Sequence, residues 1–224
     1  RQRQMCIRDW FMFSVAATPP WSLWDGKDYK NMSDQDEAKF RMIEYHKWKF
    51  KAKIFSPLAP LTVKRTPVLM TRVEYGFLGS YNKYKKSPFE TFYMGGDGMS
   101  GYSSTYATET IGLRGYENGS IAGNGGYNSY GYAYSRLSME LRYPFLLEPS
   151  STIYGLVFVE AGNAWRDLKD FNPFQLKRSA GVGVRIFLPM IGLMGIDWAY
   201  GFDRPDGYDQ RGGSNFHFII GQEF

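Results

Sequence analysis

The chain has 224 residues and a formal net charge of +5, and three arginines in the first nine positions carry much of that excess. The length bounds it to one or two domains, and the charge is too small to argue for a nucleic-acid partner. Cys6 is the only cysteine, so a disulfide framework and a thiolate metal site are both excluded. Aromatic content is high, with 17 Tyr, 17 Phe and 6 Trp, and there are 25 Gly. Aromatic and Gly enrichment without long apolar runs favours strands over helices. No stretch approaches the ~18 consecutive apolar residues of a membrane helix, but alternating membrane strands average out to polar and stay open as a class.

Residues 1–9 show no period of 2 or 3.6 and no signal-peptide core, and read as a non-native junction segment. Trp10 to Ala17 is short and apolar and begins in mid-strand; Thr18-Pro19-Pro20 stops it. This start suggests the C-terminal part of something longer. Asp25 to Lys39 is polar and reads as a loop or a short helix. From Glu44 to Ile54, aromatic and apolar residues alternate with Lys47, Lys49, Lys51 and Lys53. That pattern suits a strand with one face in lipid and one in water, and equally an amphipathic strand of a soluble sheet. The lysines are most simply a water-facing row. A second run spans Thr62 to Leu78, with Arg72 and Glu74 on one face and Val73, Tyr75 and Phe77 on the other. A third is expected over Pro88 to Gly95, with Phe89 and Tyr93 opposite Glu90.

The region from about 95 to 131 is rich in Gly and weakly patterned, and reads as a long loop. In it, Leu113-Arg114-Gly115-Tyr116 sets an arginine before a glycine. The glycine permits a sharp turn, and the guanidinium fork suits a fixed carboxylate. The plain alternative is a solvated surface arginine. Beyond the loop the alternation is clearer. Leu137, Met139, Leu141 and Tyr143 lie opposite Ser138, Glu140 and Arg142; Ile153, Val157 and Val159 lie opposite Tyr154, Phe158 and Glu160. Ala180 to Leu188 and Met194 to Phe202 repeat the pattern, and Phe216, Phe218 and Ile220 close it. Runs of about 9–11 residues match bilayer-crossing strands, whereas soluble strands average ~5–6. Connections alternate between tight and long, as in outer-membrane barrels. Trp48, Tyr75, Tyr143, Trp165, Tyr200 and Phe202 sit at strand ends, where they could form interfacial girdles.

These residues resemble the barrel of the outer-membrane assembly factor BamA family, within the surface-antigen superfamily. Leu113-Arg114-Gly115-Tyr116 is similar to the family's Val-Arg-Gly-Phe/Tyr loop motif, with Leu in place of Val. Ser138 to Leu141, Val157 to Trp165 and Lys177 to Gly183 resemble the strands that follow, and Phe216 to Phe224 resembles the last strand, with Gly221 and the terminal aromatic Phe224. The resemblance implies an all-β fold: the C-terminal half of a sixteen-stranded transmembrane barrel, with roughly eight or nine antiparallel strands over residues 10–224, open as a fragment. The free edge is expected near Trp10–Thr18 or Tyr45–Ile54.

It further implies that the loop folds into the lumen and that Arg114 meets Glu140 and Glu160, which otherwise simply line a wet channel. Phe216, Phe218, Ile220, Gly221 and Phe224 form the C-terminal strand signal. The implied function is insertion and folding of β-barrel proteins in the bacterial outer membrane. The implied partners are outer-membrane lipid, unfolded barrel clients and accessory assembly subunits. A polypeptide-exporting pore of the two-partner type, or the barrel of a patatin-like phospholipase, are the alternatives. No catalytic constellation, cofactor or metal set is evident: His46 and His217 read as ordinary wall residues, and Asp203, Asp206 and Asp209 as an exposed turn lacking calcium-loop spacing.

Overall fold

The computed structural model describes residues 9–33, 37–60, 65–98, 109–121, 130–148, 151–190 and 192–220. Residues 1–8 of the junction segment, residues 99–108 and 122–129 of the long loop, Gly221 and Phe224 lie outside the described residues. Eight strands form one antiparallel sheet: β1 (Trp10–Ala17), β2 (His46–Pro57), β3 (Val68–Gly79), β6 (Ala133–Leu147), β7 (Thr152–Trp165), β8 (Lys177–Leu188), β9 (Gly192–Gly201) and β10 (Gly213–Ile220), paired in that order. The sheet is open, and β1 and β10 are its two edges. Two short helices, α1 (Trp21–Trp24) and α2 (Glu37–Phe40), lie between β1 and β2. None of the described helices is long and apolar enough to cross a membrane.

The side-chain period of two determines which face is which. On β6, Met139, Leu141, Tyr143 and Phe145 are exposed while Ser138, Glu140 and Arg142 are buried. Val157 and Val159, Val182 and Val184, Ile196 and Trp198, and Phe216, Phe218 and Ile220 extend the exposed row across four further strands. A contiguous apolar face of this extent is foreign to a soluble monomer and suits lipid. The opposite face is polar and charged, and a loop covers it. With Cys6→Ser removing the native thiol, Phe218→Cys should resist a membrane-impermeant thiol reagent in intact membranes while Gly207→Cys, in the loop before β10, reacts. Reaction at both positions would put the register of β10 off by one.

The structure departs from the sequence expectations at three places. Pro88 to Gly95 is not a barrel strand. Only Phe92–Met94 (β4) is extended, and it pairs in parallel with Glu109–Ile111 (β5), a strand inside the long loop. Glu90 takes a left-handed backbone conformation (φ 65°), which ends the alternation just before β4. The β4–β5 pair packs Phe92, Met94, Ile111, Leu113, Tyr116 and Ile121 against Leu78, Tyr134 and Ala164 of the wall. Phe92, Tyr93 and Met94 are all buried, so this segment has no lipid-facing side. Trp165 is not a girdle residue either; it is buried and meets Phe171 edge-on at 4.7 Å. Third, the lysine row of β2 lies on the non-lipid face as its alternation placed it, but Lys47, Lys49 and Lys51 are ion-paired there and not simply solvated.

Candidate loop-docking site

The parallel β4–β5 pairing carries the loop across the inner face, and a bridge between Gly96 and Leu113 fixes the chain just before Arg114. Arg114 is fully buried. Its Nη2 donates to Glu140 Oε1 at 2.6 Å and to Glu160 Oε1 at 2.7 Å, and its Nη1 donates to Asp197 Oδ2 at 2.9 Å. The Arg114 backbone N–H donates to the second oxygen of Glu160 at 3.0 Å. The guanidinium carbon lies 3.5 Å from the centre of the Phe158 ring, a desolvated cation–π contact. Burial pulls the Arg114 pKa down, but Glu160, Glu140 and Asp197 more than reverse this and hold it above its ordinary value.

The two carboxylates that alternation placed on the non-lipid face are thus in contact with Arg114. Asp197 of β9 is a third acceptor, and in the sequence it is only one residue of the alternating run Met194 to Phe202. Each carboxylate already has a partner on the wall. Arg142 donates to Glu140 at 2.7 Å, Arg136 to Glu160 at 2.9 Å and Arg185 to Asp197 at 2.6 Å. Ser138 adds a further donor to Glu160 at 3.0 Å. Arg114 therefore docks onto three ready-made ion pairs and uses their remaining lone pairs.

Gly115 turns the chain at φ 87° and donates its N–H to His217 Nε2 at 2.9 Å. His217 is therefore more than a wall residue. Accepting at Nε2 requires the unprotonated nitrogen, with the ring proton on Nδ1. The contact ties the loop directly to edge strand β10, across 102 positions of sequence. Tyr116 is buried next to it; its hydroxyl donates to the Arg178 carbonyl at 2.7 Å and accepts from the Asp203 N–H at 3.3 Å. Burial pushes the Tyr116 hydroxyl up to about 12. Phe216, Phe218 and Ile220 of the C-terminal strand point away from this site, on the exposed face.

A second anchor holds the other side of the loop. Glu109 of β5 lies 3.0 Å from Lys49, 3.2 Å from Lys47 and 3.4 Å from Lys51, and Lys47 also reaches Glu90 at 3.1 Å. Nothing local in a strand reveals such partners, which is why the lysines looked merely solvated. Burial alone would raise the Glu109 pKa, but the three lysines hold it below its ordinary value. A depressed carboxyl stabilises the docked state above its unfolded pKa, and that contribution is lost as pH falls through the folded value. Protease protection of the loop should therefore weaken as pH drops below about 4, and Glu109→Gln should abolish that step. An unchanged acid profile in Glu109→Gln would remove Glu109 from the anchor.

A profile of the Omp85 superfamily domain matches residues 38–224. Comparison with curated proteins gives no match. Among solved structures, BamA from Haemophilus ducreyi lacking POTRA domains 1–3 aligns with a TM-score of 0.52 and 20% sequence identity over 78% of this chain. The alignment covers 35% of that structure, so the chain spans about a third of its length. The fold is shared, with long inward-facing and lipid-facing rows on one antiparallel sheet, and the chain belongs to the Omp85 superfamily of bacterial outer-membrane β-barrel proteins.

Proposed function

We propose that this chain acts in folding and inserting β-barrel proteins into the outer membrane, as part of a larger assembly machine with accessory subunits. The observation that carries the reading is the bond between the docked loop and edge strand β10. Gly115 holds His217 from the inside, while the far edge of β10 has no strand partner among the described residues. An edge strand presents a row of backbone donors and acceptors that can template an incoming strand. A loop locked at Arg114 sets the position of that edge without covering it. Unfolded barrel clients would meet the edge from the lipid side, where Phe216, Phe218 and Ile220 already lie in apolar surroundings.

The likeness to BamA supports the reading at the level of fold. The test is depletion of the protein in its own cells, with outer-membrane barrels followed by heat-modifiable migration. Newly made barrels are expected to accumulate unfolded in the periplasm. Normal barrel assembly with loss of one secreted polypeptide would identify an export pore and sink the insertion reading.

A further inference from the structure

The connections β7–β8 and β9–β10 leave the sheet at the end that carries the long loops, which in an outer-membrane barrel faces the cell exterior. The β7–β8 connection does not stand clear of the sheet. Phe171 packs edge-on against Phe77 at 5.0 Å and against Trp165 at 4.7 Å, so this loop lies over β3 and β7. Beside it runs a groove of about 950 Å³, with Tyr75, Leu137 and Ala161 of the sheet on one side and Phe174 and Leu176 of the loop on the other. That volume is enough for a whole small ligand.

The groove opens on the lipid face. Leu137 and Ala161 are cross-strand partners, as are Ala161 and Arg178, and all three share the face of Met139, Val159 and Val182. Along β8 that face is apolar from Ile186 back to Ala180 and becomes charged at Arg178. Such a boundary marks the bilayer–water interface. The Arg178 side chain is 68% exposed. Its Nε and Nη2 each donate to Asp203 at 3.0 Å, and its Nη1 donates to nothing among the described residues. Arg204, also exposed, has no hydrogen bond or ion pair among the described residues. Lys177 is held by Asp206 at 2.8 Å. The groove is thus lined by Lys177, Arg178 and Arg204 against the one carboxylate of Asp203. With Asp206 set against Lys177, one positive charge is left over, on the exposed Arg204.

The geometry points to a binding groove for an anionic phospholipid. Its acyl chain lies along Leu137 and Ala161 beneath the β7–β8 loop, and its phosphate meets Arg204 and the open side of Arg178. Apolar contact alone would accept any lipid of the bilayer; the unpaired charge at the head end selects an anionic one. A lipid enters from the sheet face without leaving the membrane. The inference rests on the membrane location of the barrel and not on its role in assembly.

The experiment uses the full-length protein with Cys6→Ser and a bimane fluorophore on Gln175→Cys, in phosphatidylcholine nanodiscs. Phosphatidylglycerol or phosphatidylcholine carrying a nitroxide on its acyl chain replaces part of the lipid, and quenching is read against mole fraction. Phosphatidylglycerol is expected to quench saturably, at a mole fraction several times below that needed by phosphatidylcholine. Arg204→Gln should raise the half-saturating fraction about threefold, the effect of one partly screened charge contact. Arg178→Gln with Arg204→Gln should abolish the preference, and high salt should weaken it. Lys30→Gln, in the β1–β2 connection, should leave it unchanged. Equal quenching by the two lipids, in proportion to mole fraction, is ordinary contact with surrounding lipid and overturns the proposal. So does an undiminished preference in the folded double variant. If the double variant fails to fold, Arg204→Gln decides alone, since its side chain leaves no partner behind, and an unchanged half-saturating fraction there overturns the proposal equally.

Discussion

Arg114→Ala is expected to release the loop from the inner wall while the eight-stranded sheet stays folded. The reason lies in how the charges are distributed. Glu140, Glu160 and Asp197 each keep their own wall arginine, Arg142, Arg136 and Arg185, when Arg114 is removed. No carboxylate is stranded, and the wall returns to three neutral pairs. What disappears is the loop's share: three charge-assisted bonds from one guanidinium and the contact with Phe158. Breaking a buried pair costs about 3–5 kcal/mol when it orphans the partner. Here nothing is orphaned, so about 3 kcal/mol is the better figure, roughly a hundredfold in the docking equilibrium. Arg114→Lys should recover part of this, because a single ammonium cannot span three carboxylates as the fork does.

Glu160→Ala should be worse than either, since it takes a hydrogen-bonded carboxylate from both Arg114 and Arg136 and also removes the acceptor of the Arg114 N–H and the Ser138 hydroxyl. Limited proteolysis reports the loop and heat-modifiable migration reports the sheet. Equal protease resistance in Arg114→Ala and the parent would make the arginine irrelevant to docking. Loss of the sheet together with the loop would show that the wall pairs are not self-sufficient.

The sheet was largely legible in the sequence because a period of two is a local property. Met139, Leu141, Val157 and Val159 announce their face within a few residues, and so do Phe216 and Phe218. The inward placement of Glu140 and Glu160 was legible for the same reason, whereas their pairing with Arg114 was implied only by the family resemblance. The remaining parts of the site were not, because they join residues far apart in the chain. Asp197 meets Arg114 across 83 positions and His217 meets Gly115 across 102; on their own strands each is merely one inward residue among several. Glu109 sits in a three-residue strand buried in a Gly-rich stretch, too short for any period to register. The run from Pro88 to Gly95 misled for the converse reason. Its residues alternate in the sequence, but Phe92, Tyr93 and Met94 are all buried between the loop and the wall, and periodicity cannot tell lipid from a core.

Gly115→Ala is expected to unseat the same loop by a different physical route. Gly115 is at φ 87°, where a side chain costs about 1–2 kcal/mol in backbone strain alone. A Cβ there would also lie 2.9 Å from the Gly201 backbone nitrogen and 3.0 Å from the Tyr200 carbonyl carbon, atoms of β9 that cannot rotate away. The approach is reciprocal: a Cβ on Gly201 would come 2.3 Å from the Gly115 carbonyl oxygen, and one on Gly212 would come 2.5 Å from it. Three glycines therefore let the loop backbone lie directly on the wall backbone, which brings the Gly115 N–H within reach of His217. Gly26→Ala separates strain from overlap. Gly26 has φ 65°, but a Cβ there meets nothing within 4 Å, so only the backbone cost applies. Gly115→Ala and Gly201→Ala should both expose the loop to protease and lower the temperature at which the heat-modifiable form is lost, each by several times the effect of Gly26→Ala. If Gly115→Ala costs no more than Gly26→Ala, the loop can ride up off β9 at no expense, and the close backbone contact is not what holds His217 and β10 to it.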